Sequence, residues 1–385
     1  MESIRHWQFG MDTLKIYSMS TLFKDVINKE FFKKITPFIR EVYPPFDGEK
    51  FIKDIFCNEW KDFELKQRTK HTTLTLAKHF PSDFIASAEI LKLLVQNKEM
   101  QGDQLNELAC LFIPDFIAEY GMNHIEKSLD ALEVITPVAT AEFAIRPFII
   151  AHEKMVMKRI MNWATHPNQH VRRLASEGSR SRLPWGMAIP SFKNNPSPLL
   201  PLLELLKNDE SEYVRRSVAN NINDITKDNP EVSLAIANKW IGETENTDKL
   251  IKHALRTLLK RGNKEALALF DLGYDTSLKV TEAKLLTPKV RVGESAEMQF
   301  TFMNSSTKKR NVRMEYAIYF LLNNGKYGKK IFKISERKFD VKEQKVVTKM
   351  HSFRVITTRT FYPGIHKIAP VINGFEFPDF EFELI

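Results

Sequence analysis

The chain has 385 residues, 43% hydrophobic and 27% charged, the balance of an ordinary globular protein with length for two or three domains. Its two cysteines, Cys57 and Cys110, stand alone, which excludes a disulfide framework or a CxxC metal motif, and no apolar run approaches the roughly 20 residues of a membrane span. The net charge of +9 is uneven: residues 1–275 carry 37 basic and 37 acidic side chains, residues 276–385 carry 20 and 11, so a basic module beside a neutral one favours a polyanionic partner. The first twenty residues lack the pattern of a signal peptide, so a soluble cytoplasmic protein is expected.

Residues 1–275 read as helices. Apolar residues recur at three- and four-residue spacings over Phe23–Ile39, Gly48–Glu59, His71–His79, Ser82–Gln96 and Leu105–Tyr120. Further helices are predicted over 124–135, 139–152, 153–164, 169–180, 198–207, 211–226, 231–240 and 248–260. Short turns join them, as in Tyr43-Pro44-Pro45 and Phe80-Pro81-Ser82. Two segments repeat: His170-Val-Arg-Arg-Leu-Ala-Ser-Glu177 and Tyr213-Val-Arg-Arg-Ser-Val-Ala-Asn220, with triplets 43 residues apart. This spacing suits helical hairpins stacked as a superhelical α-solenoid. A Pro/Gly/Asn-rich insertion, Arg180 to Pro198, interrupts the repeat, and long irregular segments of this kind are often functional.

From Leu278 onward, strand-like runs alternate with turns: Lys279–Leu286, Ala296–Met303, Val312–Leu322, Lys329–Lys333, Lys345–Val355, Gly364–Ile372 and Glu376–Leu384. Asn324-Gly325 and Asn373-Gly374 are hairpin signals. The expected architecture is mainly α, a HEAT-like solenoid over 1–275 followed by a small immunoglobulin-like β-sandwich over 278–385.

No phosphate-binding glycine loop, GxSxG elbow, HExxH or Cys/His cluster occurs, so neither a metal nor another cofactor is expected. The sharper signal is acidic. Glu142 is four residues before Arg146, Arg173 is four before Glu177, and Arg216, Asn220 and Asp224 share a helix face. Glu142 and Glu177 are 35 residues apart, about one repeat, so a solenoid could bring them together. Solvated salt bridges on the repeat faces are the simpler reading of these pairs. Trp163 ends a predicted helix, where capping suffices; Trp185 follows Pro184 inside the insertion, where a core role is less natural. A tryptophan face near carboxylates suits a planar cation. In the basic module, Thr357-Thr358-Arg359 precedes Tyr362-Pro363-Gly364, a loop that could read a minor groove or simply be structural.

The string His166-Pro-Asn-Gln-His-Val-Arg-Arg-Leu-Ala-Ser-Glu177-Gly-Ser-Arg180-Ser-Arg-Leu-Pro184-Trp185 resembles the AlkC-type DNA alkylation repair enzymes, HEAT-like-repeat alkylpurine DNA glycosylases. So do Val42–Asp47, Glu142–Pro147 and Tyr213–Asp224. The end of the chain, with Thr357-Thr-Arg359 and Asn373-Gly374, resembles the immunoglobulin-like domain of a subset of that family. Ser181 departs from a proline common in the family. The resemblance implies excision of cationic bases such as 3-methyladenine from double-stranded DNA, without a deep base pocket; a monomer is the default expectation, since the sequence carries no clear sign of an oligomer. It implies that Glu142, Glu177 and Asp224 act on the deoxyribose and the attacking water, and that Trp163 and Trp185 form walls against sugar and base. Arg146, Arg173, Arg180, Arg216 and Arg359 would contact DNA. Two alternatives stay open from the residues themselves: a non-catalytic DNA- or protein-binding solenoid, and an adaptor for acidic peptides.

Overall fold

The computed structural model describes residues 22–98, 100, 105–356 and 359–385. It divides at Asn229/Pro230 into two compact units, so the helices between Pro230 and Ala268 group with the β-sandwich. The change from helix to strand falls later, between Ala268 and Leu278.

In the first unit the helix Lys29–Val42 packs on Gly48–Ile55, Leu65–Ala77 on Phe112–Tyr120, and Phe84–Gln96 on Ile125–Ile135. Side-chain oxygens start several of these helices: Asn28, Asp47 and Asp83 each accept a backbone N–H three residues on. Phe32, Phe51, Phe112 and Phe148 are fully buried and fill the space between helices. The next layers are Glu153–Trp163, Gln169–Gly178 and Glu212–Asp228, with the middle helix packed against both others. Gly178 permits a close approach there, because a β-carbon would stand 2.5 Å from Ile145 Cγ2.

Both Val-Arg-Arg triplets do the same structural work with their first arginine. Arg172 Nη1 donates to the carbonyls of His166 and Pro167, and Arg215 Nη1 to those of Asp209 and Glu210. Each guanidinium thus ties down the turn five and six residues before it, and Arg172 also pairs with Asp209 at 2.6 Å. The insertion between the copies is more ordered than its composition suggests: it contains a short helix, Pro190–Asn194, and a 3-10 turn, Ser197–Leu199.

In the second unit two sheets enclose a core that includes Met298, Phe300, Phe302, Tyr316, Ile318, Phe339, Phe353 and Phe382. One sheet has the order β1 (Leu278–Leu285), β3 (Ser295–Asn304), β6 (Gln344–Ser352). The other runs β2 (Lys289–Val290), β9 (Phe380–Leu384), β7 (Gly364–Ile372), β4 (Arg310–Leu321), β5 (Tyr327–Phe339), with β8 (Phe375–Glu376) beside β7. Asn373 and Gly374, at φ 48° and 76°, make the tight β7–β8 hairpin. Strand β5 continues well beyond the predicted Lys333. It is an edge strand, where charged residues such as Glu336, Arg337 and Lys338 are compatible with pairing to one side only.

A buried carboxylate–arginine network as the candidate active site

Glu177 is positioned by the helix Gln169–Gly178 and Asp224 by Glu212–Asp228, while Glu142 stands in the turn that leads into Arg146–Ala151. The backbone explains the last case: Pro147 occupies the first turn of that short helix, so the predicted helix over 139–152 begins only at Arg146. The expected Glu142–Arg146 pair therefore does not form. Glu142 Oε2 instead meets Arg173 Nη2 at 2.7 Å and accepts from Thr140 Oγ1 at 3.1 Å.

The remaining acids are joined through Arg180. Its Nη1 donates to Glu177 Oε1 at 2.5 Å and its Nε to Asp224 Oδ2 at 2.7 Å. Arg173 Nη2 stands 3.8 Å from Glu177 Oε1, Ser217 donates to Glu177 Oε2 at 2.6 Å, and Lys227 reaches Asp224 Oδ1 at 2.8 Å. Glu142, Glu177 and Asp224 are 3%, 6% and 0% exposed, so three acids from three successive layers share one buried network. They are not the solvated salt bridges of the simpler reading.

Burial and partners push two of these acids in opposite directions. Loss of solvent raises Glu142, opposed by the Arg173 charge and reinforced by Glu177. Burial acts on Glu177 in the same sense, but Arg180, Arg173 and Ser217 together outweigh it and lower its pKa. Two carboxyls so displaced from one another suit different tasks at one site: one held ionised, one able to exchange a proton.

Three of the five arginines expected at DNA are buried within the protein. Arg173 and Arg180, 8% and 5% exposed, compensate the buried acids, without which those charges would be costly. Arg146 is fully buried; its Nε donates to the Met187 carbonyl at 2.6 Å and its Nη1 to that of Gly178 at 2.8 Å. Removal from water, with Arg180 nearby, pushes Arg146 down to about 10. Arg216 is partly exposed and pairs with Glu212 at 2.6 Å. Arg359 lies in the other unit with its guanidinium 4.1 Å from the centre of the Phe320 ring. Thr357 and Thr358 lie outside the described residues.

The tryptophans part company. Trp163 is 1% exposed and donates Nε1–H to Glu133 at 2.5 Å, so its ring offers no open face for stacking. Trp185 is 45% exposed and has φ 63°, a left-handed conformation unusual for a bulky residue. Its carbonyl accepts from Lys66, and its ring meets Phe23 edge-on. The loop reaches the network through Arg146: a β-carbon on Gly186 would stand 3.2 Å from Arg146 Cδ and Nε. Strain of this kind, held by surrounding contacts, gathers at functional sites.

Residue-type reasoning passed over Tyr213 and Glu107 and gave His170 no more than a capping or helix-start role. The Arg173 guanidinium lies 4.8 Å from the centre of the Tyr213 ring, and His170 meets that ring edge-on at 5.7 Å. Burial pushes Tyr213 up to about 12 and His170 down. Superposing the two repeat copies would have found this pair, since each precedes its Val-Arg-Arg triplet. Glu107 is raised by surrounding protein, against the opposing field of Arg173; nothing local in its sequence marks it. Among the described residues no group of His, Cys, Asp and Glu has the arrangement of a metal site, and no helix is long and apolar enough to cross a membrane.

Pseudomonas fluorescens alkylpurine DNA glycosylase AlkC, solved bound to DNA containing an abasic site analog, matches this fold with a TM-score of 0.88 and 32% identity. The match covers 95% of this chain and 100% of that one. The chain belongs to the AlkC family. The "Uncharacterized protein YhaZ" of Bacillus subtilis (strain 168) is 40% identical over 351 residues, 91% of this chain and 96% of its own. The family described as "Uncharacterised protein YhaZ, C-terminal Ig-like domain" matches residues 279–385. This AlkC-family chain is therefore a HEAT-like helical region followed by an immunoglobulin-like sandwich, as its periodicities predict.

Proposed function

We propose that this AlkC-family chain is a monofunctional DNA glycosylase that releases cationic N-alkylated bases, of the 3-methyladenine type, from duplex DNA. The observation that carries the proposal is the buried cluster of Glu142, Glu177 and Asp224 beside the strained, half-open Trp185 loop. An alkylated base with a positive charge needs no proton to leave. The C1′–N bond breaks with its electrons going to the base, which departs neutral, and the sugar becomes an oxocarbenium-like cation. Glu177, held ionised by Arg180 and Arg173, and Asp224 supply the negative field that stabilises this cation. Water adds its oxygen to C1′ and gives up a proton, which the Glu142 carboxylate, oriented by Arg173 and Thr140, accepts. The products are the free base and an abasic deoxyribose.

Trp185 is the aromatic surface for the sugar or the cationic base. Arg216 and Arg359, the arginines not buried in the network, are the proposed DNA contacts. The reaction calls for no cofactor, and the chain acts as a monomer on double-stranded DNA. The test is incubation with N-methylated duplex DNA followed by chromatography of released bases. Free 3-methyladenine, with the strand intact until the abasic site is cleaved chemically, is the expected product. A strand broken by the protein itself would refute monofunctional hydrolysis.

A further inference from the structure

Within the second unit, a recess of about 420 Å³ is lined by Thr257, Lys260 and Arg261 from the helical segment and by Lys329, Lys330 and Ile331 from β5. That volume falls in the range of about 300–1,000 Å³ typical of small-ligand sites. Four of the six lining residues are cationic, and none is acidic. Lys329 is paired with Glu376 and lies 5.4 Å from the centre of the Tyr319 ring. Lys260, Arg261 and Lys330 have no ion-pair partner among the described residues. Glu315 is the carboxylate whose field acts on Lys260, and it is already held by Arg313 at 2.7 Å. Partial burial lowers both lysines, reinforced by Arg359 and Lys260 around Lys330 and by Arg313 and Arg256 around Lys260, so like charges crowd this recess.

An ordinary solvated surface disperses its cations among acids; this recess gathers four around an open space, three of them without an ion-pair partner among the described residues. Strand β5 is the edge of its sheet, so the recess is not closed by a further strand. A small, doubly oxygenated anion resolves the repulsion, with lysines as point charges and Arg261 as a planar fork. We propose that this recess binds a phosphodiester of the nucleic-acid backbone, a phosphate contact additional to Arg359. The proposal rests on duplex DNA being the partner.

The test uses the full chain and an undamaged fluorescent duplex, with affinity measured across a series of NaCl concentrations. The parental protein is compared with Lys260→Gln/Arg261→Gln, both exposed positions, and with the charge-matched control Lys279→Gln/Lys345→Gln on the other sheet. Each phosphate contact contributes a slope of about 0.9 in log K against log salt. The recess variant should lose about 1 to 2 of slope, with the melting temperature unchanged, and the control should lose none. Equal slopes in parental and recess variant would overturn the proposal, as would an equal loss in the control. Inorganic phosphate is added in a second arm at constant ionic strength. Competition with DNA only at concentrations where the parental and recess-variant proteins respond alike supports a backbone site. Selective displacement from the parental protein at micromolar phosphate would instead mark a free-anion site and overturn the backbone assignment. Absence of any duplex binding by the parental protein would overturn the DNA reading itself, an outcome distinct from an unchanged slope.

Discussion

Removing Arg180 tests the buried network as a physical object. Its guanidinium holds Glu177 at 2.5 Å and Asp224 at 2.7 Å and is 5% exposed. Deleting one partner of a buried ion pair costs about 3–5 kcal/mol, because the charge left behind is uncompensated. Each acid keeps a second cation, Arg173 at 3.8 Å for Glu177 and Lys227 at 2.8 Å for Asp224, so Arg180→Ala belongs at the lower end, about 3 kcal/mol. For a folding unit of this size, that lowers the melting temperature by about 6–12 °C at pH 7.5. Arg180→Lys keeps the charge but not the fork that serves both acids at once, so it should melt between the two. The pH dependence has a definite sign. Arg180 and Arg173 lower Glu177 in the folded state, so its stabilisation is present above the unfolded carboxyl value, near 4.3, and is lost as pH falls through the folded one. The deficit of Arg180→Ala should therefore shrink as pH drops below about 4. Thermal unfolding followed by circular dichroism measures all three. A variant melting within about 2 °C of the parent at pH 7.5, less than about 1 kcal/mol, would refute the network as a buried, mutually compensating unit.

Other consequences concern the proposed chemistry and the sandwich. Glu142→Gln should slow base release by about 100-fold or more and abolish the acid limb of the pH–rate profile. Because burial raises Glu142, that limb in the parent should lie above the ordinary glutamate value near 4.3; a limb at or below it, or one persisting in the variant, contradicts its role as base. Trp185→Gly removes the ring but suits φ 63°, so it should be at least as stable as the parent while losing excision; loss of stability instead would make Trp185 a packing residue. His351, among Phe332, Phe353 and Tyr316, is pushed down to about 4 by burial and by Arg359 and Lys330. A lowered histidine gives stability that is full above its unfolded value, near 6.5, and lost as pH falls towards 4. Calorimetry from pH 7 to 4.5 should show the sandwich weakening in that window, and the loss should be smaller in His351→Phe.

How much of this was legible in the sequence depended on whether a residue's role was local. The helices and strands follow from periodicity, and Asn373-Gly374 from the demands of a two-residue turn. Glu142 was found as an acid among apolar residues, but its partner was misread: i,i+4 spacing pointed to Arg146, whereas Pro147 shortens the helix and the partner is Arg173, one layer away. Arg173 and Arg180 look like surface cations in one dimension, and only the stacking of layers shows that they face buried carboxylates. Trp163 and Trp185 have the same side chain in similar polar surroundings; what separates them is tertiary, a hydrogen bond to Glu133 in one case and an open, left-handed loop in the other.

The central claim is that three buried acids make this AlkC-family chain a glycosylase. Single-turnover release of 3-methyladenine from duplex DNA, by the parent and by Glu142→Gln, Glu177→Gln and Asp224→Asn, tests it directly. Release by the parent with marked loss in each correctly folded variant is predicted. No release by the parent, or parental rates in all three variants, would contradict the account.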